Sequence, residues 1–296
     1  MKKWFKYFVY ISLVFLILAL IKADYLKIPL IHNYSLIALS IICVFLGFFM
    51  DAFAWQMTLK AYGYKKVNTK QALASMGLSI FGKYIPGKIW LIMGRSAYIA
   101  KKHNISEKDT ASISLNAQFI SLWVGLLLGA IGFLFIGTKA LWAELSLLLW
   151  IALSLILFSR MFHNLASFLI KKIFRKEVSI PSLSIKNVIK VLPWFFLNWL
   201  CWCFGFYFLV QSLSIDVVAP VTGLIFALAG TLGLLAIIVP GGLGVREGIV
   251  AAMLIMAGLN EVLAVSISVA SRLWFLSGET FIFLLGLYCN IKQKKR

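Results

Sequence analysis

The chain has 296 residues, of which 62% are hydrophobic and 13% are charged, and its formal net charge is +19. A soluble domain has about 45–50% apolar and about 25% charged residues, so this composition excludes a water-soluble fold and makes the bilayer the solvent of the chain. The positive charge does not indicate nucleic-acid binding, because the basic residues lie in short blocks between apolar segments, as in the cytoplasmic loops of membrane proteins.

Long, continuous apolar segments predict membrane-spanning α-helices, because a backbone in hydrocarbon must satisfy its own hydrogen bonds and a crossing needs about 20 residues. The predicted fold class is all-α, a polytopic helix bundle. Full crossings are predicted for six segments: Tyr7–Ile21, Tyr34–Met57, Thr110–Ile136, Leu141–Phe158, Val191–Leu213 and Val262–Tyr288. The first segment is similar to a signal peptide, but no small-residue cleavage site follows it, which favours a retained helix.

Two further apolar segments, Ala72–Ile99 and Gly223–Gly258, are interrupted near the middle by proline and glycine. The interrupting residues are Pro86 and Gly87 in the first segment, and Pro240, Gly241, Gly242 and Gly244 in the second. Proline removes a helical hydrogen bond and glycine permits a sharp turn. Both segments are therefore interpreted as re-entrant helical hairpins, with kinked ordinary crossings as the alternative.

The distribution of lysine and arginine predicts that both termini are cytoplasmic. In this topology, 21 of the 29 basic residues fall on one side of the membrane, in segments 1–6, 60–71, 100–109, 159–190 and 290–296. Such an excess marks the cytoplasmic side, so the protein is expected in the plasma membrane, which is the inner membrane in bacteria. Within residues 159–190, Met161–Ile173 has the pattern of a basic amphipathic helix at the membrane surface.

The order of these elements predicts a single integral membrane domain built from two half-repeats, residues 1–138 and 139–296. Each half is predicted to contain two crossings, a hairpin and a third crossing, and the two halves begin on opposite sides of the membrane. This is the order of an inverted repeat, a common transporter architecture in which the binding site lies at the midplane between the halves.

Nine charged residues lie within apolar segments, where each one costs about 2.5–3.5 kcal/mol at mid-helix on insertion scales. Asp51 and Glu144 are expected near helix ends, at the membrane boundary. In the first hairpin, Lys83, Lys88 and Arg95 predict a basic ladder that runs from mid-depth towards the cytoplasm and binds a lipid phosphate. The alternative is that these side chains extend to the lipid headgroups only as anchors.

The second hairpin and the last crossing add two further cations, Arg246 and Arg272, as candidate phosphate ligands. Glu247 and Glu279 are their candidate charge partners, and the sequence leaves the pairing among these four residues open. The histidines and cysteines are scattered without ligand spacing, so neither a metal nor another cofactor is expected.

Both interrupted segments carry motifs of a known family. Residues 82–90 (Gly-Lys-Tyr-Ile-Pro-Gly-Lys-Ile-Trp), followed by Arg95, and residues 240–248 (Pro-Gly-Gly-Leu-Gly-Val-Arg-Glu-Gly) resemble two signatures of the lysylphosphatidylglycerol synthase transmembrane-region family. The chain departs from many members at Arg246. The resemblance implies lipid handling or translocation by a stand-alone member, because the chain has no room for the soluble aminoacyl-transferase domain of the two-part enzymes.

The leading expectation is a non-enzymatic, flippase-type translocator in cell-envelope biogenesis. Its substrate would be an anionic phospholipid or a polyprenyl-phosphate-linked saccharide, because a phosphate needs a charge-compensated path through hydrocarbon. The alternatives are a non-catalytic partner of the glycosyltransferases that build envelope polysaccharides, and a membrane-embedded lipid-phosphate transferase. Envelope glycosyltransferases and further copies of the chain are the candidate protein partners.

Overall fold

The computed structural model describes residues 30–85, 89–136, 140–159, 185–236, 242 and 244–294, and these are helical, without a β-strand. Their α-helices, in chain order, are α1 (Tyr34–Ala61), α2 (Thr69–Ser79), α3 (Ile89–His103), α4 (Glu107–Phe135), α5 (Ala140–Phe158), α6 (Ile185–Leu213), α7 (Ile225–Leu235), α8 (Val245–Met256) and α9 (Glu261–Lys294). Short 3₁₀ helices, Ile80–Tyr84 and Pro220–Leu224, adjoin α2 and α7.

Among the described residues, four helices are long and apolar enough to cross a membrane, namely α1, α4, α6 and α9. They match four of the predicted crossings, and α5 covers a fifth, so the all-helical membrane bundle is confirmed. The predicted crossing Tyr7–Ile21 and the amphipathic segment Met161–Ile173 lie outside the described residues. The total number of crossings therefore stays a prediction.

The two arms of the first interrupted segment run antiparallel, side by side. At one end of this hairpin, the Gln71 Oε1 atom lies 2.9 Å from the His103 Nε2 atom. Nearer the turn, a Cβ atom added at Gly94 would lie 2.8 Å from the Ser79 Cβ atom. The chain thus returns on itself rather than continuing as a kinked rod, which is the shape that a re-entrant element requires.

The second interrupted segment folds back in the same way. A Cβ atom at Gly233, near the end of α7, would lie 3.1 Å from the Cβ atom of Arg246 at the start of α8. Gly242 lies in the turn with a φ angle of +69°, and a Cβ atom there would lie 2.6 Å from the Gly233 carbonyl oxygen. Glycine is needed at this position both for the positive φ angle and for the close backbone approach.

The long helices α1 and α6 pack antiparallel against each other. The Ser40 hydroxyl donates to the Gly205 carbonyl at 2.6 Å, and the Asn198 side-chain amide donates to the Gly47 carbonyl at 2.9 Å. In both helices, the donor precedes the accepting glycine by seven residues. The two bonds thus repeat each other across the interface, as an inverted pair of halves requires.

The remaining contacts follow the same twofold pattern. The first arm of each hairpin packs antiparallel against the last helix of the other half, α2 against α9 and α7 against α4. Glycine permits both approaches: a Cβ atom at Gly77 would lie 2.2 Å from the Ile282 carbonyl oxygen, and one at Gly129 would lie 2.6 Å from the Leu228 Cβ atom. The first arm of each hairpin therefore packs against a long helix that is distant in sequence. The division into residues 1–138 and 139–296 stays a prediction.

We expect Gly77→Ala to lower the free energy of unfolding by about 1–3 kcal/mol, because the added methyl group overlaps the α9 backbone. Gly248→Ala is the matched control, since apart from the adjoining backbone of α8 no atom lies within 4 Å of its Cβ position. That control should leave stability unchanged or raise it by up to about 1 kcal/mol. Thermal unfolding of both purified variants in detergent measures the difference, and equal effects would contradict the close α2–α9 packing.

Candidate functional site

A cavity of about 80 Å³, here called the polar cavity because of the charged residues in its wall, lies where the hairpins meet α1, α4, α6 and α9. Its volume is enough for roughly five to eight water-sized groups. The charged residues in its wall are Asp51, Lys83, Arg95, Arg246 and Arg272, and the aromatic residues are Phe48, Phe195, Trp199, Trp202, Phe226 and Phe275. The cavity therefore combines cations from both hairpins with an aromatic wall.

Lys83 reaches the cavity from the 3₁₀ helix that ends the first arm. Its ammonium group forms an ion pair with the carboxylate of Glu279 on α9 and lies 4.9 Å from the centre of the Phe275 ring. The other Glu279 oxygen, Oε2, accepts a 2.8 Å hydrogen bond from the Tyr84 hydroxyl. Residues 196 positions apart thus compensate each other's charge in the interior.

Glu247 compensates two arginines at the start of α8. Its Oε1 atom lies 3.5 Å from the Arg246 Nε atom and 3.5 Å from the Arg272 Nη1 atom. Its Oε2 atom accepts a 2.7 Å hydrogen bond from the backbone N–H of Gly244, so the same carboxylate also caps the first turn of the helix. The Arg246 guanidinium packs 5.2 Å from the centre of the Phe275 ring, and its Nη2 atom has no hydrogen-bond partner among the described atoms.

Arg95 is directed into the bundle. Its Nε and Nη2 atoms donate 2.6 Å hydrogen bonds to the Ser114 hydroxyl and carbonyl oxygens, and its guanidinium lies 4.8 Å from the Trp55 ring centre. Because the residue is only 2% exposed, it does not extend to headgroups as an anchor. Asp51 is within electrostatic range of Arg95 and of Lys83.

The structure corrects one expectation about these charges. Asp51 was expected at the membrane boundary, but it lies ten residues before the end of α1 and lines the cavity. Lys83, which was predicted to belong to a phosphate-binding ladder, also has a carboxylate partner from α9. Glu144, the other predicted boundary residue, is exposed.

Four of the five predicted phosphate ligands, Lys83, Arg95, Arg246 and Arg272, line the one cavity. The fifth ligand, Lys88, and the turn residues Pro86, Gly87, Pro240 and Gly241 lie outside the described residues. The sequence left the pairing of these charges open. In the structure, Glu247 pairs with Arg246 and Arg272, and Glu279 pairs with Lys83. Phosphate binding by any of these residues stays a prediction.

Sequence reasoning missed Tyr84 and the aromatic wall. Tyr84 stands beside Lys83 inside the first motif, and a tyrosine next to an intramembrane lysine is the signal that could have indicated it. The aromatic residues are part of ordinary apolar helices, so their position at the cavity could not be distinguished from core packing.

The fold and this site define an α-helical integral membrane protein with a charged, aromatic-lined cavity between its two hairpins and its long helices. The chain belongs to the family described as the lysylphosphatidylglycerol synthase TM region, whose family model matches residues 4–279. No curated protein matches the chain significantly. Membership of this family indicates a membrane protein of lipid or cell-envelope biogenesis.

We expect Glu247→Gln to lower the free energy of unfolding by about 3–5 kcal/mol, because removing one partner of a buried ion pair leaves charge uncompensated. The control is Glu144→Gln, which makes the same change at an exposed position and should alter stability by less than about 0.5 kcal/mol. Unfolding of both variants in detergent tests this expectation. A Glu247→Gln protein as stable as the control would show that the arginines do not depend on Glu247.

Proposed function

We propose that the protein moves an anionic lipid between the two leaflets of the membrane, without chemical conversion. The observation that carries the proposal is the convergence of Lys83, from one hairpin, and Arg246, from the other, on the same cavity, with Phe275 between them. A site reached by both halves of an inverted repeat can be exposed to either side of the membrane in turn.

The charge of the site supports an anionic substrate. Among the described residues, four cations surround the cavity, whereas three carboxylates, Asp51, Glu247 and Glu279, compensate them. An excess positive charge in a low-dielectric interior is unfavourable unless an anion balances it. A phosphate group is such an anion, and guanidinium groups bind phosphate oxygens through charge-assisted hydrogen bonds.

The surroundings of the second hairpin support a lipid rather than a free anion. A cleft of about 470 Å³ lies on the side of α7 and α8 away from the polar cavity, and α4 and α5 complete it. Its lining is almost wholly apolar and includes Leu149, Leu232 and Met253. We propose that acyl or isoprenoid chains occupy such a surface while the phosphate group is in the polar cavity.

Movement of the hairpins is the proposed mechanism of transport. The polar cavity, at about 80 Å³, is smaller than the sites of about 300–1,000 Å³ that enclose drug-sized ligands. A saccharide or glycerol headgroup therefore enters only when the arms separate. The 3₁₀ helix at Ile80–Tyr84 and the positive φ angles of Gly242 and Gly244 are the proposed hinge points.

Reconstitution into protein-free liposomes tests the function. We expect the purified chain to move fluorescent phosphatidylglycerol between leaflets, measured as the fraction of label that an external reductant quenches. A transferase would instead change the mass of the lipid, and a non-catalytic partner of glycosyltransferases would do neither when present alone. The absence of lipid movement, over a panel of phospholipids and polyprenyl phosphates, would contradict the proposal.

We expect Arg246→Gln to slow lipid movement by at least about tenfold, because a hydrogen bond to a charged group contributes about 1.5–3 kcal/mol. The fold should persist, since Glu247 keeps Arg272 as its partner. Lys190→Gln removes the same charge at an exposed position on α6 and is the matched control. Equal rates for both variants in the liposome assay would exclude Arg246 from the transport path.

The cellular setting follows from the same proposal. We propose that the chain works in the plasma membrane, the inner membrane of a bacterium, with both termini in the cytoplasm. Envelope glycosyltransferases are its proposed partners, because they use the lipid-linked saccharides that such a protein would present. Cysteine accessibility at introduced terminal positions would test the orientation.

A further inference from the structure

The three interior carboxylates differ in how firmly their positive partners are held. Glu247 accepts a backbone hydrogen bond from Gly244 and faces two arginines, each at 3.5 Å. Asp51 is within electrostatic range of Arg95, whose guanidinium is fixed by two 2.6 Å hydrogen bonds to Ser114. Arg95 cannot leave Asp51 without breaking its two hydrogen bonds to Ser114, and Glu247 keeps one arginine beside it if the other moves.

Glu279 is different, because its charge is compensated by a lysine. Lys83 has a flexible stem and a rotatable ammonium group, and its side chain is 13% exposed, whereas that of Glu279 is only 1% exposed. Lys83 lines the polar cavity. The ammonium group therefore stands between the cavity and the carboxylate, where a second anion can compete for it.

We propose that Glu279 is the proton-binding residue that couples lipid movement to protons, an inference that rests on the proposed function. An anionic headgroup in the cavity draws the Lys83 ammonium group away from Glu279. The carboxylate that remains is buried, and its ionised form is strongly disfavoured without a partner. Glu279 then takes up one proton from water, and the Tyr84 hydroxyl, which already contacts Oε2 at 2.8 Å, stays as a hydrogen-bond partner.

The groups around Glu279 explain why the lipid is the trigger. The 3₁₀ helix contributes Lys83 and Tyr84, α9 contributes Arg272, α8 contributes Arg246 and Glu247, and α1 contributes Asp51. The other two helices packed against α9 carry no charged residue in segments 71–79 of α2 and 191–213 of α6. An entering phosphate therefore meets Lys83, Arg246 and Arg272 together in the wall of the polar cavity.

Binding measurements at several pH values test the coupling. The probe is dihexanoyl phosphatidylglycerol, added to the purified full chain in detergent, with dihexanoyl phosphatidylcholine as the uncharged-headgroup control. For one coupled proton, we expect the affinity for the anionic lipid to fall by about tenfold per pH unit as pH rises. Calorimetry in buffers of different ionisation enthalpy should show up to one proton taken up per bound lipid.

Variants assign the proton to a residue. We expect Glu279→Gln to bind the anionic lipid without proton uptake and with an affinity that no longer depends on pH. This change leaves the Lys83 ammonium group without its carboxylate partner. A double variant, Lys83→Gln with Glu279→Gln, removes both charges and so leaves no uncompensated charge. Glu144→Gln is the matched control, which removes a carboxylate at an exposed position away from the cavity and should retain proton uptake.

The outcomes separate this inference from the proposed function. Binding of phosphatidylglycerol without proton uptake by the natural chain would overturn the inference and leave the function intact. Proton uptake that persists in both Glu279 variants would also overturn it, since another group would then carry the proton. If no anionic lipid binds and none moves in liposomes, the proposed function fails, and the inference fails with it.

Discussion

The ion pair between Lys83 and Glu279 joins the first hairpin to α9 in a medium where neither charge is stable alone. An unpaired charge in hydrocarbon is so unfavourable that its partner must be supplied by the same fold. The lysine comes from the first hairpin and the glutamate from the last helix. The pair therefore requires α2 and α9 to pack closely, and the glycines along that interface make the approach possible.

The twofold architecture explains why the charges collect in one place. Each hairpin packs against the last helix of the other half, so residues that are far apart in sequence meet between the halves. The second hairpin adds Arg246 beside Arg272 of α9, with Glu247 between them. The resulting cavity belongs to neither half alone. A change in the angle between the halves would alter all of its charge contacts together.

The sequence was sufficient for the all-helical class and for both hairpins, and it was insufficient for the pairing of the charges. Apolar segments of about 20 residues identified the long helices, and the Pro-Gly interruptions identified both hairpins, because hydrocarbon imposes helices and proline breaks them. Helix α6 begins at Ile185, six residues before the predicted crossing at Val191, because a helix can extend beyond its apolar segment. Partners such as Lys83 and Glu279 depend on tertiary packing, which local patterns do not encode. The same reason explains the error at Asp51.

The basic residues at the interior positions differ in how firmly their side chains are held. Arginine, with its planar fork of donors, is suited to rigid multiple contacts, and Arg95 makes two hydrogen bonds to one serine. Lysine is a point charge on a flexible stem, and Lys83 is held by one carboxylate beside an aromatic ring. A site that only anchored charge would gain most from arginine throughout. A lysine at the cavity, beside a short non-α-helical turn, is instead the arrangement expected where one anion must replace another.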